Sequence, residues 1–238
     1  MTKLSVLIPA YNEERIIKDN LESIKKTLNS FKINYEIILI NDGSKDNTLK
    51  EAKKVKNIKI INYKNNKGKG NALKYGFQFS KGDLICFLDA DLELSPALIK
   101  EFIELMNKNN ADVIIGNKRH SKSIKKFPLK RRILSYGYSL LVKLLFMMNI
   151  NDTQTGIKLF KRKVLESVFK KSSIKGFSFD LELFVNIHKL KYKILESPVI
   201  ITFRRGKGET RIGFRALFSM LKDTLTIFYK YYFTNCYN

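Results

Sequence analysis

Lys81-Gly82-Asp83-Leu84-Ile85-Cys86-Phe87-Leu88-Asp89-Ala90-Asp91-Leu92-Glu93-Leu94-Ser95-Pro96 is the stretch from which the rest of the chain can be read. Residues 84–88 are five apolar side chains in succession, with no polar alternation. That pattern belongs to a strand covered on both faces, as in a parallel sheet. Two carboxylates, Asp89 and Asp91, follow at once, and Ser95-Pro96 opens a helix with Ser at the cap and Pro in the first turn. The order is buried strand, acidic loop, helix.

The same order recurs towards the N-terminus. Residues 4–9 predict a first buried strand, and residues 13–28 a helix with Ile16, Ile17, Leu21, Ile24 and Leu28 on one face. Residues 35–40 predict a second strand, ended by the turn Asn41-Asp42-Gly43-Ser44, after which Asp46 or Asn47 can cap a short helix. Residues 58–61 predict a strand, 70–79 a helix and 113–115 a fifth strand. Strands alternating with helices imply right-handed crossovers and an α/β fold with a mostly parallel central sheet. Ligands of such sheets bind beyond the carboxyl ends of the strands. The polar clusters after Pro9, Ile40 and Leu88 all fall at that edge.

The second half is less regular. Residues 117–132 form a basic loop, followed by an apolar helix, a polar turn at 151–155 and a strand at 157–160. A helix is expected over 179–190, a strand over 198–203 and an amphipathic helix over 214–233. The last places Phe214, Leu217, Phe218, Leu221, Leu225, Phe228 and Tyr232 at helical spacing. The expected division is a main domain over 1–203 and a C-terminal basic loop with its helix over 204–238.

Composition narrows the function. Lys and Arg number 45 against 22 Asp and Glu, a net charge of +23, so the chain should attract polyanions. A Lys-rich compositional bias accounts for part of this. A nucleic-acid binder would concentrate its basic residues on a recognition element, and no such motif is found. That reading also leaves Asp42, Asp89 and Asp91 without a purpose. Two His and two Cys, Cys86 and Cys236, argue against structural zinc and a disulfide framework, and for a reduced, cytoplasmic setting. Residues 4–9 are too short for the apolar core of a signal peptide, and the apolar window 133–150 contains Lys143. The expectation is a protein without a leader or a spanning helix.

Paired carboxylates after a strand can converge on one hard cation and the phosphates it carries. Asp42 can accept from a ribose hydroxyl or a base N–H. Asn66-Lys67-Gly68-Lys69-Gly70 lacks the spacing of a P-loop, but its glycines allow close backbone approach.

Taken in order, Ile8-Pro9-Ala10-Tyr11-Asn12-Glu13-Glu14, Asn41-Asp42-Gly43-Ser44, Asn66-Lys67-Gly68-Lys69-Gly70 and Asp89-Ala90-Asp91 resemble the signatures of family 2 glycosyltransferases with the GT-A fold. Asp152-Thr153-Gln154-Thr155-Gly156 and Phe179-Asp180-Leu181-Glu182 resemble the polyprenyl-phosphate branch, which includes dolichyl-phosphate mannose and glucose synthases. The resemblance covers residues 3 to 232. It implies that Pro9, Tyr11, Glu13, Asp42, Lys69, Asp89 and Ala90 hold a nucleotide-sugar donor, GDP-mannose or UDP-glucose. It implies Mg²⁺ or Mn²⁺ as cofactor on Asp91, with Glu93 as a further ligand where mannose synthases carry Gln. Lys118, Arg131, Arg204 and Arg205 would bind the acceptor phosphate, and Asp89, Asp91 and Arg131 would form the catalytic set. Asp152, Gln154, Asp180 and Glu182 would serve as base or sugar contacts.

The chemistry is consistent with those roles. A lipid phosphate has a second pKa near 6, so it is nucleophilic at neutral pH without a strong base. A hydroxyl acceptor, on a glycan or lipid, would need a base, for which Asp152, Asp180 or Glu182 could serve. Residues 133–148 and 214–233 are apolar, aromatic-rich and flanked by cations. They can pack as core, or lie on an anionic surface as a peripheral contact at the cytosolic face of a membrane.

Overall fold

The structure is a computed structural model. It describes residues 3–118, 129–170, 178–201 and 214–234, without the side chains of 129–136 and 214–219. Seven strands among them form one sheet in the order β3-β2-β1-β4-β6-β5-β7. The strands are β1 (Lys3–Ala10), β2 (Asn34–Asp42), β3 (Lys59–Tyr63), β4 (Leu84–Leu88), β5 (Val113–Asn117), β6 (Ile157–Lys161) and β7 (Ile194–Pro198). The helices are α1 (Ile17–Ser30), α2 (Thr48–Ala52), α3 (Lys69–Phe77), α4 (Leu98–Asn109), α5 (Leu129–Phe146), α6 (Arg162–Phe169), α7 (Phe179–Lys189) and α8 (Phe214–Phe233).

Apolar runs with no alternation are the signature of a sheet with two dry faces. Ile37 and Leu39 of β2 enter one core with α1 and α4, while Ile38 and Ile40 enter the other with α3, α6 and α7. In β4, Cys86 and Leu88 face the first core, and Ile85 and Phe87 the second. The expected face of α1 is buried at Ile17, Leu21, Ile24 and Leu28.

β6 runs antiparallel between β4 and β5, whereas the other pairings are parallel. Its first residue, Ile157, therefore pairs with the last of β4, Leu88. The turn that precedes β6 reaches the same sheet edge as the loops that follow the parallel strands. The sheet is mostly parallel, as expected, and this reversal is what completes the edge.

Three expected boundaries move. The first helix starts at Ile17 rather than at 13, because the Glu13 and Glu14 N–H groups donate to Thr48 Oγ1 at 2.7 Å and Asp46 Oδ2 at 3.1 Å. Those bonds hold the preceding segment as a loop. The last strand covers Ile194–Pro198 rather than 198–203: Pro198 has no N–H to continue a ladder, and Ile201 makes only an isolated bridge to Leu94. Residues 202 and 203 lie outside the described residues. The expected basic loop gives way to α5 at Leu129, and α6 has no counterpart in the sequence reading.

Of the apolar stripe expected on α8, Leu221, Leu225 and Tyr232 are exposed. Met220, Thr224 and Ile227 are buried, while Leu225 is 63% exposed and Phe233 69%. The helix packs on α5 through the Phe146 ring against Phe228 and Tyr231, and through a Tyr232 hydroxyl that donates to the Leu145 carbonyl at 2.9 Å. α5 in turn exposes Leu140 and Leu144, and Met147 just after its end is exposed as well. Among the described residues no helix is long and apolar enough to cross a membrane.

Asp112 joins strand starts at the opposite edge. Its carboxylate pairs with Lys163 at 3.0 Å and Lys161 at 3.3 Å, and accepts the Lys193 N–H at 3.2 Å. Burial pushes its pKa up, but these partners outweigh it and hold the carboxyl below its usual value. The stability this contributes is present above the ordinary carboxylate pKa of about 3.9 and is lost as pH falls through the lower folded-state value. Asp112→Asn should cost about 1 kcal/mol at neutral pH, and the difference from wild type should shrink in urea titrations as pH falls below the ordinary carboxylate range. A difference that stays constant with pH would contradict the ionic assignment.

Candidate active site

The ends of β1 and β2 lie side by side, with Pro9 opposite Ile40 and Ala10 opposite Asn41. Tyr11 and Glu13 follow Ala10, so the residues expected to bind a nucleotide share one edge with Asp42. Asn12, at φ 55°, links the two loops: its N–H donates to Ser44 Oγ at 3.0 Å and its Oδ1 accepts the Lys45 N–H at 2.9 Å. Asp42 is 3% exposed. Its Oδ1 accepts the Tyr63 hydroxyl at 2.7 Å and the Lys67 N–H at 2.8 Å, and its Oδ2 accepts Asn66 Nδ2 at 3.1 Å. It thus pins the 63–67 loop to the end of β2. Burial, and then Asp42, push the Tyr63 phenol well above its usual range. Gly43 has φ +66°, and a Cβ there would sit 2.5 Å from the Asn66 nitrogen, so only glycine allows this approach.

Asp89 follows β4 directly. Its N–H donates to the Gly156 carbonyl at 3.1 Å, and a Cβ on Gly156 would lie 2.6 Å from its Oδ2. Its Oδ1 is 2.5 Å from Lys69 Nζ, at the start of α3. Both side chains of this pair remain over one third exposed, so solvent reaches the pair. Burial opposes the charge on each. Lys69 nevertheless has a raised pKa, through Asp89, Asp180 and Asp91. Asp89 has a lowered one, through Lys69, Lys158 and Lys118. The turn that follows is held from beneath by Asn20 of α1, whose Nδ2 donates to the Ala90 carbonyl at 2.8 Å. Leu92 at φ 49° bends the chain back, and Asp91 Oδ1 accepts the Glu93 N–H at 3.2 Å.

Lys158 is a member of the site that periodicity did not single out. It lies on β6 and is 1% exposed. Its Nζ donates to the Thr155 carbonyl at 2.6 Å and stands 2.9 Å from Asp180 Oδ1, at the start of α7. Burial pulls its pKa below the usual lysine range, and Asp180 opposes that. α7 is buried on every side from Phe179 to Ile187, Glu182 included. Phe179 packs so closely on α3 that a Cβ on Gly70 would lie 2.3 Å from its ring.

The third group is Lys118 and Asp152. Asp152 Oδ2 accepts the Lys118 N–H at 3.2 Å and is 3.8 Å from its Nζ. Gln154 is exposed on the same turn. The side chain of Arg131, and Arg204 and Arg205 entirely, lie outside the described residues.

Among the described residues no three side chains of His, Cys, Asp or Glu converge as a self-sufficient metal site. The donor set at the turn is carboxylate oxygen alone, which suits a hard cation that takes its remaining ligands from phosphate and water. A Mg²⁺ or Mn²⁺ ion shared with a diphosphate fits these residues.

A family model described as Glycosyl transferase family 2 matches residues 5–169. Dolichyl-phosphate beta-glucosyltransferase of Dictyostelium discoideum is 33% identical, over 96% of this chain and 74% of that protein. Dolichyl-phosphate beta-glucosyltransferase ALG5A of Trichomonas vaginalis is 36% identical over 82% of this chain, which spans only 64% of that relative's length. In fold, the chain is similar to glucosyl-3-phosphoglycerate synthase from Mycobacterium tuberculosis in complex with Mn²⁺, uridine-diphosphate and phosphoglyceric acid. The TM-score is 0.76 at 17% identity, over 98% of this chain and 79% of that one.

Proposed function

The chain belongs to glycosyl transferase family 2, and from that premise we propose that it transfers glucose from UDP-glucose to a polyprenyl phosphate of the dolichyl type. The observation that carries this reading is the 33% identity with a dolichyl-phosphate beta-glucosyltransferase over 96% of the chain. The site chemistry supports it. The donor diphosphate lies against the Asp89–Asp91 turn and Lys69, with the nucleoside over the ends of β1 and β2. Asp91, with Glu93 beside it, would hold Mg²⁺ or Mn²⁺, which would neutralise charge on the leaving diphosphate. Asp89 holds Lys69 in its charged form beside that diphosphate. Lys118, with Arg131 and the Arg204–Arg205 pair, binds the acceptor phosphate.

A phosphate oxygen attacks C1 of the glucose, forming a C–O bond as the bond from C1 to the diphosphate breaks and inverting the anomeric centre. The phosphate dianion carries no proton to remove, so no side chain has to act as a strong base. The acceptor lipid stays in its bilayer, and the enzyme comes to it. The exposed Leu140 and Leu144 of α5, Met147 just after it, and Leu225, Tyr229 and Phe233 of α8 support a peripheral contact with a membrane. The cytosolic face, with its anionic lipid, suits the net charge of +23.

The test is a donor screen with a short-chain prenyl phosphate, read by product mass. The expected product is glucosyl phosphoprenol from UDP-glucose, formed faster than any mannosyl product from GDP-mannose. Transfer only to prenol or to a glycan hydroxyl would overturn the acceptor. The same preparation should sediment with vesicles containing anionic phospholipid and release partly in high salt.

A further inference from the structure

We propose that Glu196 of β7 is a positioning residue for the acceptor phosphate, acting on Lys118 and Asp152 through the residues that precede them. This rests on the acceptor reading given above. Glu196 Oε1 accepts the backbone N–H groups of Asn151 at 2.6 Å and Asp152 at 3.3 Å. Its Oε2 accepts Nδ2 of Asn151 at 2.6 Å and of Asn117 at 2.8 Å. Asn117 ends β5 and immediately precedes Lys118, and Asn151 immediately precedes Asp152. One carboxylate thus holds the Asn117 side chain before Lys118 and the 151–152 backbone on the Asp152 side of the ion pair.

Four N–H donors converge on two oxygens, an arrangement that only an acceptor without donors of its own can satisfy. Glutamine would turn an NH₂ towards at least one of them. The Asn151 amide cannot rotate to compensate. Its Oδ1 already accepts Lys143 Nζ at 2.6 Å, and its carbonyl accepts the Ser139 hydroxyl at 3.1 Å. Since its oxygens are taken up by these donors, Glu196 acts through the turn, not on substrate. Asp152 is 4% exposed and accepts the Lys118 N–H. A shift of the 151–152 turn therefore moves the carboxylate that holds the Lys118 N–H and, at 3.8 Å, pairs with its ammonium. The donor cluster of Lys69, Asp89 and Asp91 shares none of these bonds.

The experiment measures kcat and both KM values for wild type, Glu196→Gln, Asp152→Asn and the double variant, with UDP-glucose and a short prenyl phosphate. Glu196→Gln should raise the acceptor KM about tenfold, the scale of one charge-assisted hydrogen bond, and leave the donor KM within about twofold. The double variant should be no worse than the worse single one, because both act on the same ammonium. An unchanged acceptor KM, equal rises in both KM values, or additive effects overturn the assignment. Thermal melting checks folding. Should Glu196→Gln fail to fold, Asn117→Ala, which removes one donor from the cluster, should raise the acceptor KM about threefold, and no rise overturns the proposal. Wild type that transfers nothing to prenyl phosphate overturns the acceptor reading together with this one. Wild-type transfer with unmoved variant constants overturns this one alone.

Discussion

Asp91→Asn is expected to lower turnover about a hundredfold or more, with little change in melting temperature. The two effects separate because of how the turn is built. Its shape depends on the Ala90 carbonyl bonded to Asn20, on Leu92 in the left-handed region and on the Asp91 oxygen that accepts the Glu93 N–H. An amide oxygen at position 91 can still accept that N–H. What is lost is the negative charge that would hold a divalent cation on the donor diphosphate. The check is turnover with UDP-glucose over a Mg²⁺ and Mn²⁺ titration, beside a melting curve. Full wild-type turnover in EDTA would sink the metal role, and equal activity of Asp91→Asn would sink the residue assignment.

The largest effect on stability is expected at Lys158. Removing one partner of a buried ion pair strands the other charge away from water, at a cost of about 3–5 kcal/mol. Lys158→Met does this to Asp180, whose side chain is 12% exposed, and also removes the donor to the Thr155 carbonyl. Set against a typical total stability of about 5–15 kcal/mol, that loss should be plain in urea unfolding. Lys158→Met with Asp180→Asn should recover a good part of it, because the stranded carboxylate is gone. A single-variant loss under about 1 kcal/mol would mean that water reaches Asp180 and that the pair contributes little.

Parts of the site were legible and parts were not, for identifiable reasons. The loop after Leu88 is readable because the run at 84–88 allows only a doubly covered strand, and such a strand delivers its next residue to the carboxyl edge. The loops after Ala10 and Asp42 follow in the same way. Lys158 was invisible, since a lysine among apolar residues reads as the solvent side of a strand until a carboxylate from another element is known to meet it. Glu196 was hidden likewise: its partners lie 79 and 45 positions away in the chain. The sequence leaves core and surface roles both open for α8, because periodicity gives the spacing of an apolar stripe and says nothing of which neighbour covers it.

By itself the sequence determined the alternation of strands and helices, the two dry faces of the sheet and the edge to which Asp42, Asp89 and Asp91 belong. Those are local consequences of burial pattern and chain direction. Only the tertiary structure decided that β6 enters the sheet reversed between β4 and β5. That reversal brings Gly156 against Asp89, Lys158 under Asp180, and the Asn151–Asp152 turn beside Lys118 and Glu196. The physical reason is that strand pairing is settled by backbone hydrogen bonds and packing between segments far apart in the chain. A five-residue strand such as β6, three apolar residues and two lysines, satisfies both orientations equally well until its neighbours are in place.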